Sequence, residues 1–164
     1  MKKIATLILL FTVSLMGVKN VYSHCEVPCG IYDDELRIAL LYEHITTIEK
    51  AMEQIGTLSG EGDKNYNQIV RWIVTKEEHA VKIQDIANQY FITQRIKLPE
   101  QTEGDEYEKY IKQLTLMHQV IVYAMKAKQT TDMQYIEKMR KAVGDFEEVY
   151  FEGKHRHNPD GSHK

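Results

Sequence analysis

The segment His24-Cys25-Glu26-Val27-Pro28-Cys29-Gly30-Ile31-Tyr32 contains both cysteines of this 164-residue chain. Three residues separate the thiols, a spacing that can close a small chelate loop, and Pro28 and Gly30 are turn-forming residues. If the chain were cut after Ser23, His24 would be its first residue. A free α-amine, an imidazole, a backbone amide and two thiolates would then lie within six residues, enough to hold one transition metal. A zinc site normally adds a second Cys or His pair from elsewhere. Here a tetrahedral zinc would have to recruit His44, His79 or His118. The alternative is a planar N2S2 set: the His24 amine, the Cys25 amide nitrogen and the thiolates of Cys25 and Cys29. An amide must be deprotonated to bind, which favours metals that gain from square-planar ligation, Ni(II) or Cu(II), over zinc. Thiolate and amidate donors push electron density onto such a metal and stabilise its higher oxidation state. The rival reading is a Cys25–Cys29 disulfide, as expected of two cysteines in an exported chain. That would leave a metal-free exported helical interaction protein; a third reading keeps the chelate, in an exported metal-delivery or copper-binding protein without turnover.

The site depends on the leader. Lys2 and Lys3 precede a mostly apolar run from Ile4 to Val18, and Val21 and Ser23 occupy the −3 and −1 places of a signal-peptidase site. The run is too short for a membrane span. Residues 1–23 therefore read as a cleaved signal peptide, which implies a processing peptidase, a periplasmic or extracellular location and no membrane attachment after cleavage. The leader holds three Lys and no acid. Removing it from a chain of 21 basic and 24 acidic residues leaves 18 and 24 over 141 residues, a formal charge of −6. That balance argues against nucleic acid as a partner.

The elements that must position the site are helical. Apolar residues recur at helical spacing in four stretches. The first holds Leu36, Leu40, Leu41, Ile45, Ile48, Met52 and Ile55, with Asp33 or Asp34 as the cap, and a glycine-rich break over residues 56–62 ends it. The second holds Tyr66, Ile69, Val70, Ile73, Ala80, Val81, Ala87 and Phe91, and closes before Pro99. The third spans about 105–128. The fourth starts near Thr131, a cap, and carries Ile136, Met139, Val143, Phe146 and Tyr150. Residues 24–151 are thus expected to form an all-α, antiparallel four-helix bundle preceded by an N-terminal metal-binding hook. Residues 152–164 form a polar tail with His155, His157 and His163, read as a solvated terminus. His44 and His118 read as packed or half-exposed helix residues. Lys64, Arg71, Lys76 and Arg95 are candidates for positive charge near the site.

The pattern His-Cys-x-x-Pro-Cys-Gly-x-Tyr at a processed chain start, ahead of a helical bundle, resembles the nickel hook of nickel-containing superoxide dismutases. The match is strong over residues 24–32 and weaker beyond. The resemblance implies a right-handed four-helix bundle, a homohexamer and one nickel ion per subunit. It implies that His24 gives the amine and an axial imidazole, Cys25 the amide and a thiolate, and Cys29 the second thiolate. Tyr32 falls where the family places a phenol near the open face of the metal, narrowing access, and Pro28 where it has a turn-forming proline. The implied reaction converts superoxide to dioxygen and hydrogen peroxide by Ni(III)/Ni(II) cycling. The chain departs from the family in the support of the axial imidazole. Residues 37–41 carry no acid, so Glu43 is the nearest candidate, and His79 stands in place of a second-helix Arg. Tyr90 resembles a second family tyrosine near the hook, or is a core aromatic.

Overall fold

A computed structural model describes residues 28–61 and 63–153, and every regular element among them is helical. Helix α1 is Asp34–Gly60. Asp33 caps it, its side chain accepting the Leu36 N–H at 3.0 Å, and Asp34 and Glu35 place negative charge in the first turn, where the helix dipole favours it. Ile38, Leu41, Ile45, Ile48 and Met52 face the core as the spacing requires, but Leu36 is exposed. The expected break at residue 56 does not occur. The helix runs through Gly56 to Gly60, and Thr57 and Ser59 bond back to the carbonyls of Glu53 and Ile55. A mid-helix glycine costs only about 1 kcal/mol relative to alanine, too little to stop a helix whose preceding turns are buried.

Helix α2 is Tyr66–Asp85 and continues directly as a π-helix, Ile86–Arg95. The wide turns show in the five-residue bonds Thr93 Oγ1 to Asn88 O, Gln94 Nε2 to Gln89 O and Ile96 N to Phe91 O. A period of 3.6 does not describe this stretch. The predicted core face of α2 is also only partly right. Ala80, Ala87 and Phe91 are buried, while Tyr66 (64% exposed), Val70 (57%), Ile73 and Val81 face outward.

Helix α3 is Asp105–Gln129 and α4 is Gln134–Tyr150. Lys76, only 4% exposed, reaches across from α2 to donate to the carbonyls of Ala127, Lys128 and Thr130 at the end of α3. An ammonium there satisfies carbonyls that have no partner within the helix. The start of α4 is organised by Asp132, whose Oδ1 accepts the Gln134 N–H at 3.0 Å, and not by Thr131. Asp reaches the amide two residues on, a competition the cap pattern does not resolve from sequence.

Adjacent helices are antiparallel. Asp34 meets Tyr90 and Tyr150, and His44 meets His79. Gln84 bonds to Ile121, and Tyr123 faces Tyr135. The helices follow one another around the bundle, with α4 closing against α1. Among the described residues no helix is long and apolar enough to cross a membrane.

Candidate metal centre

The hook enters the described structure at Pro28. His24, Cys25 and Glu26 lie outside the described residues. Residues 28–30 bend into the start of α1, and Gly30 adopts φ +77°, a conformation that favours glycine. Cys29 is exposed. The bend thus delivers one thiol to the end of the bundle where α1 begins and the π-helix ends.

Tyr32 is 40% exposed and held on three sides. Its hydroxyl donates to Gln94 Oε1 at 3.4 Å, the Arg95 guanidinium lies 4.4 Å over its ring, and Tyr90 meets it edge-on at 5.9 Å. Gln94 is itself anchored by its amide to Gln89 O at 2.7 Å. Tyr90 is 2% exposed, stacks edge-on against the core residue Phe91, and donates to Asp34 Oδ1 at 2.6 Å. It is therefore both a core aromatic and a neighbour of Tyr32.

Asp34 organises this end of the bundle. Arg95 donates to both of its oxygens, Nε at 2.8 Å and the terminal nitrogen at 2.7 Å, and Tyr90 and Tyr150 add one hydrogen bond each. Burial pulls the carboxyl upward, but donation from Arg95, Tyr90 and Tyr150 outweighs it and holds the group below the usual carboxylate range. Burial and then the Asp34 carboxylate push both phenols up, Tyr150 to about 12 and Tyr90 further. The bonding explains the order: each phenol is fixed as a donor to an anion and keeps its proton.

A cleft of about 500 Å3 opens beside the hook, lined by Pro28, Arg37, Asp85, Ile86, Gln89 and Tyr90. Arg37 lies 5.0 Å over the Tyr90 ring, and its buried Nε has no hydrogen-bond partner among the described residues. A buried guanidinium N–H without an acceptor is costly.

Of the residues expected at the site, Pro28, Cys29, Tyr32 and Tyr90 come together at this end. Glu43 and His79 do not. His79 lies against His44, and Glu43 is exposed beside them, roughly 14 Å along α1 from Asp34 at 1.5 Å per residue. Of the four basic candidates only Arg95 is here; Lys76 caps α3, while Lys64 and Arg71 sit toward the opposite end of the bundle. Sequence reasoning missed Asp34 as more than a cap, and missed Arg37, Gln94 and Tyr150. Only the π-helix brings Gln94 and Arg95 to Tyr32, and no residue pattern announces it.

Among the described residues no group of three His, Cys, Asp or Glu could hold a metal. A metal held at this end by Cys29 would take its remaining donors from outside the described residues. The exposed Cys29 thiol is a fitting donor for a transition metal.

A family model described as nickel-containing superoxide dismutase matches residues 19–154, a range that includes the whole hook and all four helices. Comparison with curated proteins and with solved structures gives no match.

Proposed function

This chain belongs to the nickel-containing superoxide dismutase family, and from that membership we propose how its own residues carry out the reaction. It is an oxidoreductase acting on superoxide, with nickel as its metal. Two superoxide anions and two protons give one dioxygen and one hydrogen peroxide, so no other reductant or oxidant is consumed.

The proposed ligands are the His24 amine and imidazole, the Cys25 amide nitrogen and thiolate, and the Cys29 thiolate, with one nickel ion per subunit. Bound nickel would supply the one-electron Ni(III)/Ni(II) couple that the dismutation needs. Arg37, which lines the cleft beside Pro28, draws the anion in by its positive charge and offsets the acidic surface. Tyr32 narrows the approach and orders water, its ring clamped by Arg95 and its hydroxyl by Gln94. Tyr90 is not a proton donor to substrate, because its proton is committed to Asp34. It acts by holding Tyr32 and carrying the clamp into the core.

The reading also includes export, with removal of residues 1–23 by a peptidase, and assembly into a homohexamer. The outward apolar stripe Tyr66, Val70, Ile73 and Val81 on α2 suits burial between subunits.

The observation that carries this reading is the family match, which spans the hook and the bundle; the clamp on Tyr32 and the cleft lined by Pro28, Arg37 and Tyr90 support it. Cys25→Ser and Cys29→Ser variants test it. Each should lose nickel and superoxide turnover while keeping the helical circular-dichroism signal. Nickel and turnover retained in both would sink the ligand assignment.

A further inference from the structure

The nickel hook leaves unused a histidine pair on the seam between α1 and α2. His44 Nδ1 and His79 Nδ1 lie 3.2 Å apart, with the rings edge-on and their centroids at 4.9 Å. Two nitrogens bound to one ion at about 2.0–2.1 Å, with an angle of roughly 90–110° between them, lie about 2.8–3.4 Å apart. The observed separation is thus the bite of a two-imidazole metal site. We infer that His44 and His79 form a second metal site, distinct from the hook, for a divalent first-row transition ion held by two imidazole nitrogens and completed by water.

Three features support this assignment. Both imidazoles are held below their ordinary titration range by burial first, so both are neutral and able to give a lone pair near neutral pH. As a metal-free pair only one Nδ1 can carry a proton toward the other. Moving that proton to Nε2 leaves both lone pairs facing the gap, at no cost in charge. His44 is buried and His79 half-exposed, so the site has a packed wall and an open edge. Of the neighbouring charges, Glu43 at both rings and Glu78 at His79 favour a cation, while Lys82, which outranks either carboxylate at both rings, opposes one. Two imidazoles select a borderline ion such as Zn(II), Ni(II) or Cu(II) over Mg(II) or Ca(II), which need an oxygen cage.

The test uses the nickel-loaded protein with His155, His157 and His163 changed to Gln, so that the tail does not compete. It is titrated with Zn(II) against a chromophoric chelator, and nickel is counted on the same sample. The expected result is one zinc per subunit beyond the nickel, weakened more than about tenfold in His79→Gln and in His44→Gln, since loss of a ligand should cost at least as much as loss of a ligand's supporting partner. Zinc should also move the side-chain nitrogen resonances of both histidines. If His44→Gln fails to fold, the half-exposed His79→Gln variant decides alone. Failure of the tail-substituted protein to take up extra zinc, or uptake unchanged in His79→Gln, would overturn the site. So would loss of nickel in His79→Gln with zinc uptake intact, which would assign His79 to the hook.

Discussion

Replacing Asp34 with Asn should loosen the end of the bundle that faces the hook. The carboxylate accepts four hydrogen bonds, two from Arg95 and one each from Tyr90 and Tyr150. Asparagine keeps the shape but turns one acceptor into an amide donor that faces donors, and leaves Arg95 without its counter-charge. A fully buried pair broken on one side costs about 3–5 kcal/mol, and an exposed one about 0–1 kcal/mol. Side-chain exposures of 17% for Asp34 and 24% for Arg95 place this pair between the limits, at about 2–3 kcal/mol. At roughly 3–4 °C per kcal/mol for a domain of this size, Tm should fall by about 6–12 °C. The pH dependence follows from the depressed carboxyl. Its stabilisation is fully present above the ordinary aspartate value near pH 4 and is lost as pH falls through the lower folded value. The gap between wild type and Asp34→Asn should therefore be constant near neutrality and shrink below about pH 4. Thermal melts followed by circular dichroism across pH measure both. Pairing Asp34→Asn with Arg95→Met should recover a coupling of about 1–2 kcal/mol. A variant that melts with wild type at pH 7, or a gap that does not change on acidification, would refute the hub.

Lys76→Met should lower stability by about 2–3 kcal/mol, because three carbonyls at the end of α3 lose a charged donor; chemical denaturation measures it. Arg37→Met should reduce kcat/KM for superoxide and flatten its ionic-strength dependence without removing nickel, as expected for an anion-steering charge. If the proposed homohexamer forms through the outward apolar stripe of α2, Ile73→Glu should give smaller species in light scattering, since it puts a charge on that stripe.

Much of the scaffold was legible in the residues. Ile38, Leu41, Ile45 and Ile48 are buried where a 3.6-residue period puts them, and Asp33 caps α1 through a local contact that depends on little else. What escaped notice is set by tertiary context. Gly56 lies inside a helix because turns on its N-terminal side are buried. Val70 and Ile73 keep the period of a core face yet point outward, since periodicity marks an apolar stripe without saying what covers it. The π-helix is invisible to a 3.6-residue template, and it alone carries Gln94 and Arg95 to Tyr32. The candidate site divides the same way. Cys29 and Tyr32 stand out by type and spacing within one short segment. Asp34, Arg37 and Tyr150 are ordinary helix residues until the fold brings them together from α1 and α4, and the contact between His44 and His79 exists only because α1 and α2 are antiparallel.

The central claim is that the first amine of the processed chain is a metal ligand, and adding one alanine ahead of His24 tests it most directly. Protein recovered after export is measured for intact mass, nickel content and superoxide turnover, with and without the added residue. The expected result is a chain beginning at His24 with one nickel per subunit and turnover, and an extended chain that stays helical but has neither. An extended chain that keeps nickel and turnover would contradict the account. So would a chain beginning at His24 that carries a Cys25–Cys29 disulfide, with no nickel and no activity.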